Sequence, residues 1–331
     1  MDNNWEDYSD FRKDQLQKEY LARINKVIDY IEEHIGEPMN LSQLADVASF
    51  SRFHFHRLFS AITGETLNDF IKRIKLEKAA SRIIDDPRVS ITELAIILGF
   101  SSHSVFTRSF SQYFGISPSS LRDLKFKFKN DPDNIITNID KYISNTSKGD
   151  SNIRKALCKT TSYLSNIQKQ NTKNIIMDVQ IKDLPEMHVA YCRHIGPYNE
   201  VGKAFDRLMN WAGPRGLLNF PETQMLAVYH DDPAITDEKK LRSSACITVP
   251  SKTKVDGEVG KMDLKPGKFT LARFELKDNE YAEAWNNVMN WFPESGYQPA
   301  DGQYFEWYHN NPEDHPEKKC IVDICVPVKP M

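Results

Sequence analysis

One pattern in this chain is written twice, about fifty residues apart, and it restricts the front of the protein to a helical fold built from two copies of one unit. The copies are LSQLADVASFSRFHFHRLFSAITG (41–64) and ITELAIILGFSSHSVFTRSFSQYFG (91–115). Leu41, Leu44, Ala45 and Phe50 line up with Ile91, Leu94, Ala95 and Phe100 at an offset of fifty. Arg57, Phe59 and Gly64 match Arg108, Phe110 and Gly115 at fifty-one, so the second copy has one extra residue near its turn. Each copy reads as a short helix, a turn and a longer helix stopped by glycine, the layout of a helix-turn-helix.

The flanking segments complete a compact helical domain. Leu21, Ile24, Ile28 and Ile31 recur at helical spacing within 16–34, and Gly36 and Pro38 end that helix. Asn40 is placed to cap the helix from Leu41, and Ser51 the helix that runs to Gly64. Residues 67–85 read as a long connecting helix with a stripe of Phe70, Ile71, Ile74, Leu76, Ala80 and Ile83, closed by Asp86-Pro87. Ser117-Pro118 starts a last helix carrying Leu121 and Leu124, which makes seven helices expected in roughly 110 residues.

At 331 residues, two domains are expected. The predicted boundaries are an all-α DNA-binding domain at 16–129, a polar linker at 130–174 with one marginal helix over 153–167, and an α+β domain at 175–329. The net charge of −3 hides a division. Residues 36–129 hold thirteen Lys and Arg against nine Asp and Glu, whereas 176–331 hold eighteen against twenty-four. A basic front and an acidic back direct only the front toward a polyanion. The acidic, polar start and short apolar runs argue for a cytoplasmic protein with no membrane partner. Five scattered cysteines, with no Cys-x-x-Cys pair, point to buried thiols and to no metal or other cofactor.

The back half repeats as well. Leu184, Arg193, Glu200, Ala204, Met209, Asn210, Trp211 and Gly216 recur as Leu264, Arg273, Glu280, Ala284, Met289, Asn290, Trp291 and Gly296, at an offset of eighty. Tyr229, His230 and Pro233 recur as Tyr308, His309 and Pro312 at seventy-nine. Each copy reads strand, helix, strand, so two pseudo-twofold related halves with a cleft between them are expected.

In a helix-turn-helix the second helix enters the major groove with the side chains of its first turns. At roughly 100° per residue, Arg52, Phe53, His56 and Arg57 share one face, and the second unit offers His103, Ser104, Thr107 and Arg108. Arg57 can bond guanine bidentately and Phe53 can pack on a thymine methyl. Phe55, Leu58, Phe59 and Ile62 fall on the other side, as core. His54 and His56 point about 200° apart and so do not form a metal pair.

Ile91, Ala95, Gly99, Phe100, Phe106, Arg108, Phe110, Gly115 and Pro118 fit the pattern of one regulator family. Residues 20–125 thus resemble the DNA-binding domain of AraC/XylS transcriptional regulators. The resemblance implies that the long helix holds two recognition helices in successive major grooves, about 34 Å apart. It also implies promoter DNA and RNA polymerase as partners. Residues 175–329, through LPEMHVAYCRHIGPYNEVGKAFDRL and FEWYHNNP, resemble the GyrI-like effector-binding domain. That resemblance implies a carboxylate at Glu306, deep in an aromatic-lined cleft that attracts a cationic, amphipathic small-molecule effector.

The residues support the same idea directly. Alternation in Tyr304-Phe305-Glu306-Trp307-Tyr308 puts Glu306 on one face with Tyr304 and Tyr308. A carboxylate among rings offers an organic cation Coulomb attraction plus cation–π contacts of roughly 0.5–2 kcal/mol per ring. Tyr229, Tyr198, Trp211 and Trp291 are candidate walls, although either tryptophan can equally be a core anchor at a helix end. The combined expectation is a non-enzymatic transcription regulator with an effector-binding back domain. Two alternatives stay open for that domain: a hydrolase using Glu306 as general base, or a module that binds a protein.

Overall fold

The computed structural model describes residues 4–86, 88–123, 178–233 and 235–330. The predicted linker at 130–174, its helix at 153–167, Pro87 and Leu124 lie outside the described residues. The chain divides into two compact units, one helical and one based on a sheet.

The helical unit holds α1 (Asn4–Glu33), α2 (Leu41–Val47), α3 (Arg52–Thr63), α4 (Leu67–Asp85), α5 (Ile91–Ile97), α6 (His103–Phe114) and α7, described over 118–123. The first helix begins well before the predicted residue 16, across a stretch with no Gly or Pro to break it. Asn40 accepts from the Gln43 N–H at 2.9 Å, the predicted cap. Thr66, Ser90 and Ser102 cap α4, α5 and α6 in the same way. Phe55 and Phe59 of α3 and Phe106 and Phe110 of α6 are fully buried, so each long helix anchors its unit by two rings one turn apart. Leu58 and Ile62 are only partly covered.

The offset change from fifty to fifty-one falls between the helices of each pair. Four residues separate α2 from α3, and five separate α5 from α6. The turn needs a left-handed residue, supplied by Ser49 (φ 55°) in the first unit and Gly99 (φ 69°) in the second. Serine carries strain there that glycine does not. In the second unit the backbone also packs tightly. A Cβ on Gly99 would lie 2.4 Å from the Gly36 carbonyl oxygen, and one on Gly36 2.3 Å from that of Ile97.

The connecting helix α4 is tied to what precedes and follows it. Arg73 donates to Glu65 at 2.7 Å and to Glu77 at 3.0 Å, and Tyr113 of α6 donates to the other Glu77 oxygen at 2.8 Å. Lys75 lies over the Phe100 ring at 5.8 Å. A buried network with its donors and acceptors paired favours one arrangement of helices over others.

The second unit is a nine-stranded antiparallel sheet: β1 (Asp178–Leu184), β2 (Met187–Ile195), β3 (Met225–Tyr229), β4 (Arg242–Thr248), β5 (Gly260–Leu264), β6 (Gly267–Leu276), β7 (Tyr297–Pro299), β8 (Tyr304–Tyr308) and β9 (Cys320–Pro330). Helix α8 (Gly202–Ala212) follows β2, and α9 (Tyr281–Ser295) follows β6. The order β1-β6-β9-β8-β3-β4-β2-β5, with β7 on β9, is nearly a palindrome of equivalent strands. The first half therefore holds four strands and the second five, β7 being the extra one, more than the strand-helix-strand predicted, and each gives its first strand to the edge of the other. Two-residue breaks, Pro185-Glu186 and Lys265-Pro266, separate these edge strands from the strands that follow them.

Along β8 side chains alternate between the two sheet faces, with Phe305 and Trp307 on one and Tyr304 and Tyr308 on the other, whereas β2, β4 and β9 are buried along most of their length. One sheet face gathers Val189, Tyr191, Leu226, Val228, Cys246, Leu271, Phe305 and Cys325 into a core. The other packs Ala272, Val322, Ile324 and Val326 against Ala284, Val288 and Phe292 of α9. Strands covered on both faces lose the polar half of their pattern.

The two halves meet where β3 pairs with β8. Ala227 lies opposite Glu306, and the offset of seventy-nine that relates Tyr229 to Tyr308 also relates Ala227 to Glu306. The pseudo-twofold axis thus passes through this cross-strand pair.

Candidate functional site

On α3, Arg52, His56 and Arg57 are exposed, while the side chain of Phe53 lies outside the described residues. On α6, His103, Ser104 and Arg108 are exposed. Thr107 departs from the expectation, because its hydroxyl oxygen is buried. At about 100° per residue it sits only about 80° from the direction set by Phe106 and Phe110, so it flanks the core. The outward face of α6 turns instead toward Ser101, Ser104, Val105, Arg108 and Gln112, all exposed.

In the sheet unit, Glu306 is 1% exposed, in the middle of β8 and facing the helix side. Three donors close around its carboxylate. Tyr229 of β3 donates to Oε2 at 2.8 Å, Tyr308 to the same oxygen at 2.5 Å, and the Trp285 indole N–H of α9 to Oε1 at 2.6 Å. Burial pushes the Glu306 carboxyl above its ordinary range, and the bonds from Tyr308, Trp285 and Tyr229 oppose that shift. The Tyr229 and Tyr308 phenols are themselves raised well above 10 by burial and by the neighbouring Glu306 charge, so both keep the protons they donate.

Rings from both halves surround this cluster. Trp285 stands edge-on to Tyr229 with centroids 5.7 Å apart, and Phe205 of α8 stands edge-on to Tyr308 at 5.7 Å. The two pairs are symmetry mates, since Phe205 and Trp285 are eighty residues apart. Tyr198 packs on Tyr229 at 4.7 Å, and its hydroxyl donates to the Asp231 carbonyl. Burial raises the Tyr281 phenol, which bonds to the Cys320 thiol beside the cluster.

Of the predicted wall residues, Tyr229, Tyr308 and Tyr198 therefore meet around Glu306. Tyr304 shares its strand face and packs into the helix-side core. The two tryptophans are placed otherwise. Trp211, at the end of α8, lies under the Arg215 guanidinium at 4.7 Å, and Trp291 packs edge-on against Phe292 at 5.4 Å. Trp291 sits at the rim of the α9 core, and Trp211 is partly buried at the end of α8. Trp211 and Trp291 keep their identity at the repeat offset, while Phe205 and Trp285 obey the same offset with different side chains. Helical position would have found the pair, since Trp285 lies next to the buried Ala284 on the sheet-facing side of α9.

A second polar cluster lies on the other sheet face. Arg273 donates to both Asp323 oxygens at 2.7 Å, and His309 bonds to one of them at 2.8 Å. Burial acts to raise the Asp323 carboxyl, but Arg273 and His309 outweigh it and lower the pKa to about 2. In the first half Ser244 takes the equivalent place, bonded to His230 at 2.9 Å.

Comparison with known proteins separates the two units in the same way. A model described as a GyrI-like small molecule binding domain matches residues 177–329, and one described as a helix-turn-helix domain matches 44–123. DNA gyrase inhibitor 2 of Dickeya dadantii is 33% identical over 137 residues, covering 40% of this chain and 85% of its own length. Regulatory protein SoxS of Escherichia coli K12 is 33% identical over 99 residues, covering 30% of this chain and 92% of its own. The solved complex of EcmrR with DNA aligns with 83% of this chain and 99% of its own, at 17% identity and a TM-score of 0.41. Among the described residues, no helix is long and apolar enough to cross a membrane.

Proposed function

Because the chain belongs to the AraC-type helix-turn-helix transcription regulators and carries a GyrI-like small molecule binding domain, we propose that it couples promoter binding to a cationic effector held at Glu306. The observation that carries the proposal is a carboxylate on the pseudo-twofold axis, buried, with only neutral hydrogen-bond donors on its oxygens. Hydrogen bonds satisfy its lone pairs without cancelling its charge, so the rings around it sit in a negative potential. An organic cation answers that potential and packs on Tyr229, Trp285, Phe205 and Tyr308. Access to Oε1 requires the Trp285 indole to move aside. RNA polymerase is the machinery whose action at the promoter the bound effector changes.

On the DNA side, α3 and α6 are the readers, Arg57 and Arg108 their charged contacts. The test is promoter affinity of full-length protein carrying Arg57→Ala and Arg108→Ala together. Affinity should fall by at least tenfold, roughly the 1–3 kcal/mol of one bidentate contact; unchanged affinity overturns the assignment of reading helices.

A second reading of the sheet unit has one observation behind it: a relative 33% identical is named for inhibiting DNA gyrase, a protein. Under that reading the unit docks a protein, and no organic cation changes its melting temperature. A hydrolytic role would instead show as turnover of a bound compound, abolished by Glu306→Gln.

A further inference from the structure

We propose that Val105 sets the base preference of the second helix-turn-helix unit by packing its isopropyl group on a thymine 5-methyl in the major groove. The inference rests on the reading above that α6 enters DNA. Val105 is 43% exposed, on a helix whose other large apolar side chains, Phe106, Phe110 and Phe114, are buried. It stands on the outward side with Ser101, Ser104, Arg108 and Gln112. Its first-turn position is fixed, because the Ser102 hydroxyl accepts the Val105 N–H at 3.2 Å and so sets where the helix begins.

Valine is a poor choice for an exposed helical position on folding grounds. Its branched Cβ lowers helix propensity, and here 43% of its surface stays open to solvent. On a groove-reading face, a rigid isopropyl group is a suitable surface for a thymine methyl, the one apolar feature of the major-groove edge. Ser101 and Ser104 are small enough to let the helix approach the bases, and Arg108, one turn on, supplies positive charge toward the phosphates or a guanine. With the Thr107 hydroxyl buried, the second unit reads through Ser104, Val105 and Arg108.

The test is selection of binding sites from randomised duplex DNA by the full-length chain and by Val105→Ala and Val105→Thr. Wild type should select a thymine at one position of one half-site. Replacing that thymine by uracil, which removes only the methyl, should weaken wild-type binding about four-fold, the worth of one buried carbon. Val105→Ala should lose both the preference and the uracil penalty while holding affinity for the rest of the site. Val105→Thr, which keeps one methyl, should retain them in part. An unchanged thymine preference in Val105→Ala overturns this assignment alone. A wild-type chain that selects no site, or an Arg108→Ala variant that binds as wild type does, overturns the reading of α6 beneath it.

Discussion

Replacing Glu306 by glutamine separates the charge of the buried carboxylate from its hydrogen bonds. The Trp285 indole can only donate, whereas the Tyr229 and Tyr308 hydroxyls can donate or accept. The glutamine carbonyl can therefore take the place of Oε1 and receive the Trp285 N–H, while its amide group donates to the two tyrosines. All four polar groups stay paired, so stability at pH 7 should change by less than about 1 kcal/mol. Glu306→Ala strands three donors and opens a cavity, and should cost about 3 kcal/mol or more. Cation binding behaves differently. A unit charge about 4 Å from the carboxylate is worth roughly 4 kcal/mol at an effective dielectric near 20, so glutamine should weaken a monovalent cation on the order of several hundred-fold. Calorimetric titration with benzyltrimethylammonium and with its uncharged tert-butyl analogue measures this, and urea unfolding supplies the stability arm. The raised Glu306 carboxyl fixes the pH signature. Its stability contribution is full below the unfolded value near 4.3 and is lost as pH rises through the folded value, while cation affinity grows over the same range. Equal affinities of wild type and Glu306→Gln for the cation, or a wild type indifferent to the ligand's charge, would refute the reasoning.

Other expectations follow from the same geometry. Asp323, held at a pKa of about 2, should contribute about 2.5 kcal/mol that is present above the unfolded value near 3.9 and disappears as pH falls toward 2. Urea midpoints against pH should therefore show a shallower acid limb in Asp323→Asn. Gly99→Ala should destabilise the helical unit by about 2 kcal/mol or more, because its Cβ meets the Gly36 carbonyl, whereas Ser49→Gly should stabilise it by about 1 kcal/mol. Thermal melts of the two variants should move in opposite directions, and a matching shift would show that the left-handed turns are not equivalent. Ala227→Glu places a second carboxylate across from Glu306 and should lower the melting temperature sharply at neutral pH, with partial recovery at acid pH as one of the pair takes a proton.

The helical half was largely legible in the sequence because its signals are local. A cap at Asn40, stops at Gly64 and Gly115, and phenylalanines one turn apart act within a few residues of where they are written. Thr107 misled because an angular estimate of a face is broad, and a residue about 80° from the core direction can turn either way. The sheet half was legible at its repeat and at Tyr229, Glu306 and Tyr308. Its strand order was not, since β1 and β5 leave their own halves to pair across the domain, and no local pattern encodes a partner that distant. Trp285 was missed for a related reason. It reaches Glu306 from a helix twenty-one residues earlier, and only the packing of α9 on the sheet brings the two together.

A gene duplication supplies two of every side chain, but it supplies one axis. A group away from the axis is present twice and can serve two ligands; a group on it is shared by both halves and can serve one at a time. Glu306 faces its own repeat equivalent Ala227, so the proposed binding makes the sheet unit a one-site receptor despite its doubled architecture. A titration should therefore saturate at one cation per chain. Under the proposed reading, a half-turn of the bound molecule about the axis exchanges Trp285 with Phe205, Tyr281 with Val201 and Glu306 with Ala227. How strongly a ligand prefers one of its two orientations is set by these differences between the halves.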